Sequence, residues 1–351
     1  MTATAAPQTA AAEPALRIDD LRVEARLADD TLLLVDGLDL DLRPGEIVGV
    51  VGESGSGKTT LVRTLIGLLD KNVTVTAGAV AVGGEQVLAP GVDRTEAVRG
   101  ARIGTVFQDA SRSLNPVLKV RSQLREVLKA HKPQLSKAEA AEKMRTVLRR
   151  MQIDDPERVL GSYPHQLSGG QRQRVAIALA VVSEPQIVLA DECTTALDVT
   201  TQAEVVALFR DLVAELGVAL VFVTHDLLLA ADLCDRIVVM YGGQAAEVGP
   251  TRRVLLAPRH PYSAGLLAAV PSWSADGPIR GIDGSAPRVT TAFSGCRFAG
   301  RCPRADDDCR SAPIPWSGAA GTRDGYRCIH PLAAAPAPAP AQAASGSAAD
   351  R

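Results

Sequence analysis

The hydrophobic pattern of the chain changes period along its length and predicts alternating strands and helices. Residues 46–51 form a short, apolar, β-branched run, and the apolar positions at 61, 65, 66 and 68 then recur at roughly helical spacing. Two more apolar runs, at 187–190 and 218–224, are separated by a segment with helical spacing. Strand–helix–strand order of this kind predicts a parallel sheet with right-handed crossovers, and hence an α/β fold.

Further segments flank this alternating core. Residues 16–41 alternate loosely between apolar and polar positions, which predicts half-buried strands, and a strand region at 78–87 is interrupted by a glycine pair typical of a hairpin turn. Residues 103–108 predict a strand that ends at a polar amide. Between 120 and 160 the apolar spacing becomes helical and charges are frequent, so we predict a helical subdomain over about 109–182.

Length and composition limit what the chain can be. A chain of 351 residues can build one large core with an appendage, and its net charge of −2 offers no basic surface for a nucleic-acid partner. No run of about 18 apolar residues and no apolar signal core are found, so we expect a cytosolic protein whose thiols are reduced or metal-bound. The Ala- and Pro-rich ends, 1–15 and 331–351, predict disordered tails.

A glycine-rich loop follows the first apolar run and carries the most specific motif in the chain. Residues 52–59 fit the pattern G-x-x-x-x-G-K-[ST] in the strand–loop–helix context that it requires. The glycines let successive backbone N–H groups converge on one anion, at the positive end of the following helix. Lys58 would lie along the β- and γ-phosphates of a nucleotide, and the Thr59 hydroxyl would hold Mg²⁺. The predicted nucleotide-binding residues of this loop are Gly52, Ser54, Gly55, Ser56, Gly57, Lys58, Thr59 and Thr60.

A pair of carboxylates ends the second apolar run. Asp191 and Glu192 directly follow residues 187–190, and successive strand residues face opposite ways, so the two cannot share one task. We assign Asp191 to the Mg²⁺ shell, through water, and Glu192 to polarising the water that attacks the γ-phosphate. The structural alternative is an ordinary acidic pair at a strand end, which is common in proteins.

A second glycine-rich element opens another helix. Ser168, Gly169, Gly170 and Gln171 would form a second anion cradle at that helix N-terminus. One nucleotide does not need two such cradles from one chain. The two cradles would therefore serve different nucleotides, each closed by the opposing subunit of a dimer.

In order and spacing these motifs resemble those of the ATP-binding cassette (ABC) ATPases. The resemblance rests on residues 52–59, Gln108, residues 167–171, Asp191-Glu192, Ala196-Leu197-Asp198 and His225. Residues 106–109, 113–116, 163–166, 194–200 and 260–262 further resemble the ATP-binding subunits of oligopeptide and dipeptide permeases. The match covers roughly residues 17–330.

The resemblance implies an ABC-type fold with a RecA-like parallel sheet core, an antiparallel β subdomain and a helical subdomain, within a nucleotide-binding domain at 16–257. It also implies a head-to-tail dimer with two ATP molecules at its interface, in which Ser168 and Gly170 contact the γ-phosphate of the partner's nucleotide. Gln108 would coordinate Mg²⁺ and relay the nucleotide state to the permease. His225 would contact the γ-phosphate and steady the attacking water, and Asp198 would link the two sites.

Two features of the sequence depart from the family pattern. Members usually stack adenine on an aromatic residue ahead of the phosphate loop, but no Phe, Trp or Tyr precedes Phe107 here. We expect adenine to pack instead on aliphatic or guanidinium surface near Arg26 or residues 27–32. Relatives commonly carry proline after the catalytic carboxylate, where this chain has Cys193. We expect little effect from that change.

A small cysteine-rich C-terminal domain is predicted at 258–330. Zinc sites usually have closer cysteine pairs, whereas iron–sulfur clusters tolerate the irregular spacing found here. The motif Cys-x-Phe-x-x-Arg-Cys-Pro at 296–303 resembles the C-terminal region of peptide-permease subunits, some of which hold a [4Fe-4S] cluster. Zinc, and unligated or disulfide-linked thiols, remain alternatives. The expected cluster ligands are Cys296, Cys302, Cys309 and Cys328.

The resemblance therefore implies that the chain is the ATP-hydrolysing subunit of an importer for short peptides, bound to the cytoplasmic face of the membrane. The expected partners are two transmembrane permease subunits, a homologous but different second ATPase chain and, indirectly, an extracytoplasmic solute-binding protein. A soluble ABC ATPase acting on DNA or ribosomes, and a binding module without hydrolysis, are the alternatives; Glu192 and His225 argue against the second. Relatives also import nickel or sugars, so the sequence does not identify the transported solute.

Overall fold

The computed structural model describes residues 13–109, 113–195, 197–270, 281–318 and 322–333. Most of both predicted tails lies outside the described residues, and so does Ala196. At the inner edges of these tails, Ala15 is buried and its carbonyl accepts a hydrogen bond from the Gly83 amide, while the Leu332 amide donates to the Arg259 carbonyl. The described ends of the chain are thus held against the fold.

Strands and helices follow one another along the described residues up to 268, and the described region from 281 onward adds one short helix and two short strands. The strands are β1 (Leu16–Arg26), β2 (Thr31–Leu42), β3 (Ile47–Val51), β4 (Val73–Val82), β5 (Glu85–Ala89), β6 (Val92–Asp93), β7 (Ile103–Val106), β8 (Ile187–Asp191), β9 (Ala219–Thr224), β10 (Arg236–Tyr241), β11 (Gln244–Pro250), β12 (Ser317–Gly318) and β13 (Gly325–Tyr326). The helices are α1 (Lys58–Leu65), α2 (Thr95–Val98), α3 (Val120–His131), α4 (Lys137–Arg150), α5 (Pro156–Gly161), α6 (Gly169–Val181), α7 (Val199–Leu216), α8 (Leu227–Leu233), α9 (Thr251–Leu256), α10 (Pro261–Ala268) and α11 (Asp308–Ser311). None of these helices combines the length and apolar composition that crossing a bilayer requires.

A parallel sheet occupies the centre of the molecule, as the apolar runs predict. Strands β7, β8, β9, β3 and β10 lie side by side in that order and run parallel. Both faces of this sheet are covered, since Ile47 and Val51 of β3 pack into one apolar core and Val48 and Val50 into another. Burial on both faces explains why these strands are continuously apolar rather than alternating.

An antiparallel sheet packs over helix α1 and shares the second of these cores. Its strand order is β2-β1-β4-β5-β6. Gly83 and Gly84 join β4 to β5 with φ of +50° and +78°, the left-handed backbone that a two-residue hairpin loop requires. The alternating strands expected at 16–41 are therefore confirmed, with apolar side chains such as Leu38 and Leu40 facing inward.

Helices α3, α4 and α5 gather around α6, where the sequence predicts a helical insert. Leu124, Leu148, Val159 and Val175, one from each helix, are fully buried in one core. At the start of α4, the Ser136 hydroxyl accepts from the Glu139 amide and the Glu139 carboxylate accepts from the Ser136 amide, a reciprocal capping pair.

The C-terminal residues add to both sheets. Strand β13 pairs with β11, and β12 pairs with β13, so the larger sheet gains an antiparallel edge. At the smaller sheet, Leu32 forms a β-bridge with Thr290, and the Leu33 amide donates to the Val289 carbonyl at 2.9 Å. The segments 281–318 and 322–333 are thus joined by backbone hydrogen bonds to the sheets of the preceding region.

Candidate active site

The carboxyl ends of four adjacent strands bring the predicted chemical groups together. Strand β3 leads into the phosphate loop, β7 leads to Gln108, β8 ends at Asp191, and β9 is followed by His225. Because parallel strands present their carboxyl ends at one edge of a sheet, segments far apart in sequence meet there.

The phosphate loop depends on glycines between β3 and α1. Gly52 and Gly57 have φ of +152° and +102°. A Cβ atom at Gly52 would lie 2.2 Å from the Met240 carbonyl oxygen, and one at Gly57 would lie 2.5 Å from the Leu34 carbonyl oxygen. No other residue type fits at either position without displacing backbone, so the shape of the loop requires both glycines.

The Lys58 side chain folds back over this loop. It is 4% exposed, and its ammonium group donates to the carbonyl oxygens of Gly52 at 2.8 Å and Glu53 at 3.0 Å. Burial lowers the pKa of Lys58, and the nearby charge of Glu192 opposes that shift. Within the same loop, the buried hydroxyl of Ser56 has no hydrogen-bond partner among the described residues. A lysine cation and an unpartnered hydroxyl in a glycine-rich loop at the start of a helix are suited to phosphate oxygens.

Thr59 and Asp191 face each other at the start of α1. Thr59 Oγ1 lies 3.4 Å from Asp191 Oδ1. Burial raises the pKa of Asp191, as does the charge of Glu192, while the hydrogen bond from Thr59 lowers it. A divalent cation bound by these oxygens would favour the carboxylate form, and a hydroxyl with a carboxylate is an oxygen donor set that suits Mg²⁺.

The Glu192 carboxylate is the point where the other groups converge. Its oxygens lie 3.7 Å from Lys58 Nζ, 3.8 Å from His225 Nδ1 and 3.5 Å from Gln108 Nε2. Glu192 is one residue beyond β8 and has a left-handed backbone, with φ of +46°. The left-handed turn at Glu192, together with the alternation of side chains along a strand, places the Asp191 and Glu192 carboxylates in different environments.

The second glycine-rich element lies elsewhere. Ser168 and Gly169 are exposed, and none of residues 168–171 lines the cavity formed by the phosphate loop. In this chain Ser168 caps helix α6, because its hydroxyl accepts from the Gln171 amide and the Gln171 side chain accepts from the Ser168 amide. Asp198 likewise caps α7 through the Thr201 amide and hydroxyl. The structure therefore does not bring these residues to Lys58 within one chain.

A cavity of about 540 Å³ opens over the phosphate loop and is large enough for a nucleotide. One wall consists of Leu32, Leu33 and Leu34, and another consists of residues 287–289 from the C-terminal region. Of the surface that the sequence suggests for the adenine, Arg26 or residues 27–32, Leu32 lines the cavity, whereas Arg26 and Leu27 do not. Residues 287–289 were missed because their sequence carries no motif and only the fold brings them to β2.

The four C-terminal cysteines line one small pocket beside Phe298. All six cysteines of the chain lie in the described residues, and each is free of disulfide bonds. Burial raises the pKa of the Cys328 thiol to about 11. By contrast, Cys193, which replaces a proline common in relatives, is 1% exposed in the apolar core. The gathered thiols form a donor set suited to a soft metal or an iron–sulfur cluster.

Another group of possible ligands overlaps this pocket. The donor atoms of Asp306, Cys309 and His330 lie within 4.8 Å of one another, and His330 Nε2 is 2.6 Å from Asp306 Oδ2. Sequence reasoning did not select Asp306 or His330, since neither stands at a spacing typical of a metal motif. The mixed donor set is one that zinc also accepts.

Family models match two parts of the chain. Residues 35–195 match the model described as ABC transporter, and residues 246–309 match the C-terminal region of oligopeptide/dipeptide transporters. The oligopeptide transport ATP-binding protein OppD of Escherichia coli is 41% identical over 313 residues, which cover 89% of this chain and 92% of that protein. The dipeptide transport ATP-binding protein DppD of Bacillus subtilis is 40% identical over 293 residues, with 83% and 87% covered.

Solved structures resemble the same region. CbiO1 from Clostridium perfringens, part of an ABC transporter complex, superposes with a TM-score of 0.59 at 26% identity, covering 69% of this chain and 91% of that one. A bacterial ABC transporter cassette solved as a dimer gives a TM-score of 0.58 at 30% identity, covering 68% and 99%. These similarities show that the chain belongs to the family of ABC transporter ATP-binding proteins and has the fold of an ABC ATPase cassette.

Proposed function

We propose that this chain hydrolyses ATP as one subunit of an importer for di- and oligopeptides. The observation that carries the proposal is the convergence of Lys58, Gln108 and His225 on the Glu192 carboxylate, at the mouth of a nucleotide-sized cavity. The substrate class rests on the names of the relatives, which transport oligopeptides and dipeptides. Nickel or sugars are the alternative solutes within the same function.

Each group at the site would have a separate task. Lys58 and the loop amides would bind the β- and γ-phosphates, and Thr59, Gln108 and Asp191 would hold Mg²⁺, Asp191 through water. Glu192 would accept a proton from the attacking water, because its carboxylate lies within 3.8 Å of Lys58, Gln108 and His225. His225 would contact the γ-phosphate and steady that water. Its side chain is 53% exposed, so it can turn toward a nucleotide.

The site would be completed by a second ATPase chain. Residues 168–171 do not line the cavity of their own chain, which supports their contacting the nucleotide of a partner, and Asp198 would link the two sites. We propose a homologous but different chain as that partner. Two transmembrane permease subunits would carry the peptide, with an extracytoplasmic binding protein acting through them, and the ATPase would lie peripherally on the cytoplasmic face. Nucleic acid is not among the partners that we propose.

The domain limits follow the same proposal. Residues 16–257 would form the nucleotide-binding domain, with its helical subdomain at about 109–182, and 258–330 would form the cysteine-rich C-terminal domain.

We propose that this second domain holds a [4Fe-4S] cluster. Its support is that four thiols from separate segments line one pocket. The cluster would cross-link a region with few apolar residues of its own. The ligands would be Cys296, Cys302, Cys309 and Cys328.

Peptide uptake tests the transport proposal. The tagged chain would be expressed in its own host, the membrane proteins that co-purify with it identified, and uptake of labelled tripeptide, nickel and sugar compared in cells with and without the chain. Peptide uptake that is lost in the deletion strain and restored by the wild-type chain supports the proposal. Loss of nickel or sugar uptake alone would contradict it.

Metal analysis tests the cluster. After anaerobic purification we expect about four iron and four sulfide per chain, and Cys302→Ser should lose most of both. Cys234→Ser, at a cysteine buried near β3 and outside the pocket, should keep them. One zinc per chain without iron would instead favour a zinc site at the same pocket.

A further inference from the structure

Glu53, the second residue of the phosphate loop, has all of its polar groups engaged. Its amide donates to the Tyr262 hydroxyl at 2.9 Å, and its carbonyl accepts from Lys58 at 3.0 Å and from the Ser56 amide at 3.2 Å. Its carboxylate accepts two hydrogen bonds from Arg301, at 2.7 and 3.0 Å. Two of these partners, Tyr262 and Arg301, belong to the C-terminal region, so this region fixes one corner of the phosphate loop.

Arg301 is itself held in place from several sides. Its side chain is 7% exposed, and besides the forked pair with Glu53 it donates to the carbonyls of Ile282 at 2.9 Å and Asp283 at 2.8 Å. It also donates to the Tyr241 hydroxyl at 3.2 Å and lies 5.7 Å from the centre of that ring. A guanidinium with this many fixed partners is preorganised, so little entropy is lost in forming the pair.

Three aromatic rings support this arrangement. Tyr241, Tyr262 and Phe298 pack together with ring centroids 4.4 to 5.3 Å apart. The chain is only 3% aromatic, so three rings in one cluster are a notable concentration of its aromatic side chains. Tyr262 is fully buried, which fixes the hydroxyl that accepts from the Glu53 amide. The cluster therefore joins the end of β10, helix α10 and the segment at 296–303 into one support behind the loop.

The pairing of Arg301 with Glu53 also has an electrostatic consequence. A carboxylate within a loop that binds a polyanion repels the phosphates, and this repulsion is strong where water is partly excluded. A neutralising arginine removes it. We propose that Arg301 is a positioning residue for ATP binding, which neutralises Glu53 and holds its corner of the phosphate loop; the proposal rests on the assignment of this loop to ATP.

The test compares ATP affinity in variants of the full-length chain. Arg301→Gln keeps hydrogen-bonding capacity and much of the bulk but removes the charge. We expect it to bind ATP about tenfold more weakly by calorimetry, equivalent to ~1.4 kcal/mol. In hydrolysis assays KM for ATP should rise while kcat stays within about twofold, because Arg301 touches no reacting group. Arg304→Gln is the matched control, an exposed arginine of the same segment with no ion pair among the described residues, and it should bind as the wild type does.

A second substitution distinguishes loss of the Arg301 charge from general damage to the fold. In the double variant Arg301→Gln, Glu53→Gln the uncompensated carboxylate is gone, so ATP affinity should return most of the way to the wild-type value. Arg301→Gln binding as tightly as the wild type, or a double variant as weak as the single one, would overturn the proposal. A wild-type chain that binds no ATP would instead remove the assigned function, so the two failures are distinguishable.

Discussion

The Lys58 ammonium lies 3.7 Å from the Glu192 carboxylate, and both side chains line the cavity over the phosphate loop. Opposite charges at this distance attract each other, and Lys58 is almost fully buried, so the pair is only weakly screened by water. A nucleotide γ-phosphate would compete with Glu192 for the same cation. The carboxylate thus influences both the binding of ATP and its proposed hydrolysis.

Replacing Glu192 should separate these two effects. Glu192→Gln removes the proposed base and the negative charge beside Lys58, so we expect hydrolysis to fall by a factor on the order of 10² or more while ATP binding is kept or strengthened. Phosphate release and calorimetric ATP binding measure the two quantities. Size-exclusion chromatography of the chain with its partner ATPase chain and ATP should also show a trapped dimer. Glu126→Gln, at an exposed glutamate on α3, should change neither. A variant that still hydrolyses ATP at the wild-type rate would remove Glu192 from its assigned role.

The two kinds of glycine in the phosphate loop should respond differently to alanine. Gly52→Ala places a Cβ 2.2 Å from the Met240 carbonyl oxygen, so the loop must move and ATP binding should be lost. Gly55 has a φ of +78° but open space around it, so alanine there should cost only the ~1–2 kcal/mol of left-handed backbone. Thermal melting and ATP calorimetry of both variants check this. Equal effects at the two positions would show that steric contact with Met240 does not shape the loop.

Local motifs were predictable from the sequence, whereas long-range partnerships were not. The phosphate loop and the Asp191-Glu192 pair were located because their function is encoded in neighbouring residues, and the strands beneath them because burial on both faces makes them continuously apolar. Arg301 was identified only as part of a cysteine motif. Its partner Glu53 is 248 positions away, and nothing in either local pattern specifies that the chain returns to the loop. The walls of the cavity at 32–34 and 287–289 meet for the same reason.

Ser168 offers a test that separates helix capping from contact with a partner chain. Ser168 and Ser136 each begin a helix with the same reciprocal capping pair, so alanine at either should cost about 1 kcal/mol of stability. Only Ser168→Ala should also abolish ATP-dependent dimer formation and lower turnover, because only Ser168 is proposed to reach a nucleotide on the opposing chain. The measurements are thermal melting of the chain alone, then light scattering with ATP and specific activity across a dilution series in the presence of the partner ATPase chain. Similar activity losses in both variants would reduce the role of Ser168 to capping.

Asp36 connects β2 to the C-terminal region through a buried charge, and its removal should be strongly destabilising. Its carboxylate accepts hydrogen bonds from Arg297, from Arg22 at 2.8 Å and from Gln244 at 2.9 Å. Burial lowers the pKa of Arg297 to about 10, and the charge of Asp36 opposes that shift. Asp36→Ala leaves the Arg297 cation buried without its carboxylate partner, with the Gly242 carbonyl still accepting from it, and loss of a buried counter-charge typically costs about 3–5 kcal/mol.

A second aspartate on the same strand supplies the control for this last experiment. Asp39 pairs with Arg323 at 2.9 Å, but its side chain is 57% exposed, so water replaces the lost partner in Asp39→Ala. We expect Asp36→Ala to lower the melting temperature by several degrees and Asp39→Ala to change it little. Arg297→Met in the Asp36→Ala background should recover part of the loss, because it removes the stranded charge. If Asp36→Ala melts at the same temperature as the wild type, the buried pair does not hold the cysteine-rich region against β2. Attachment must then depend on the aromatic cluster and the β11–β13 pairing.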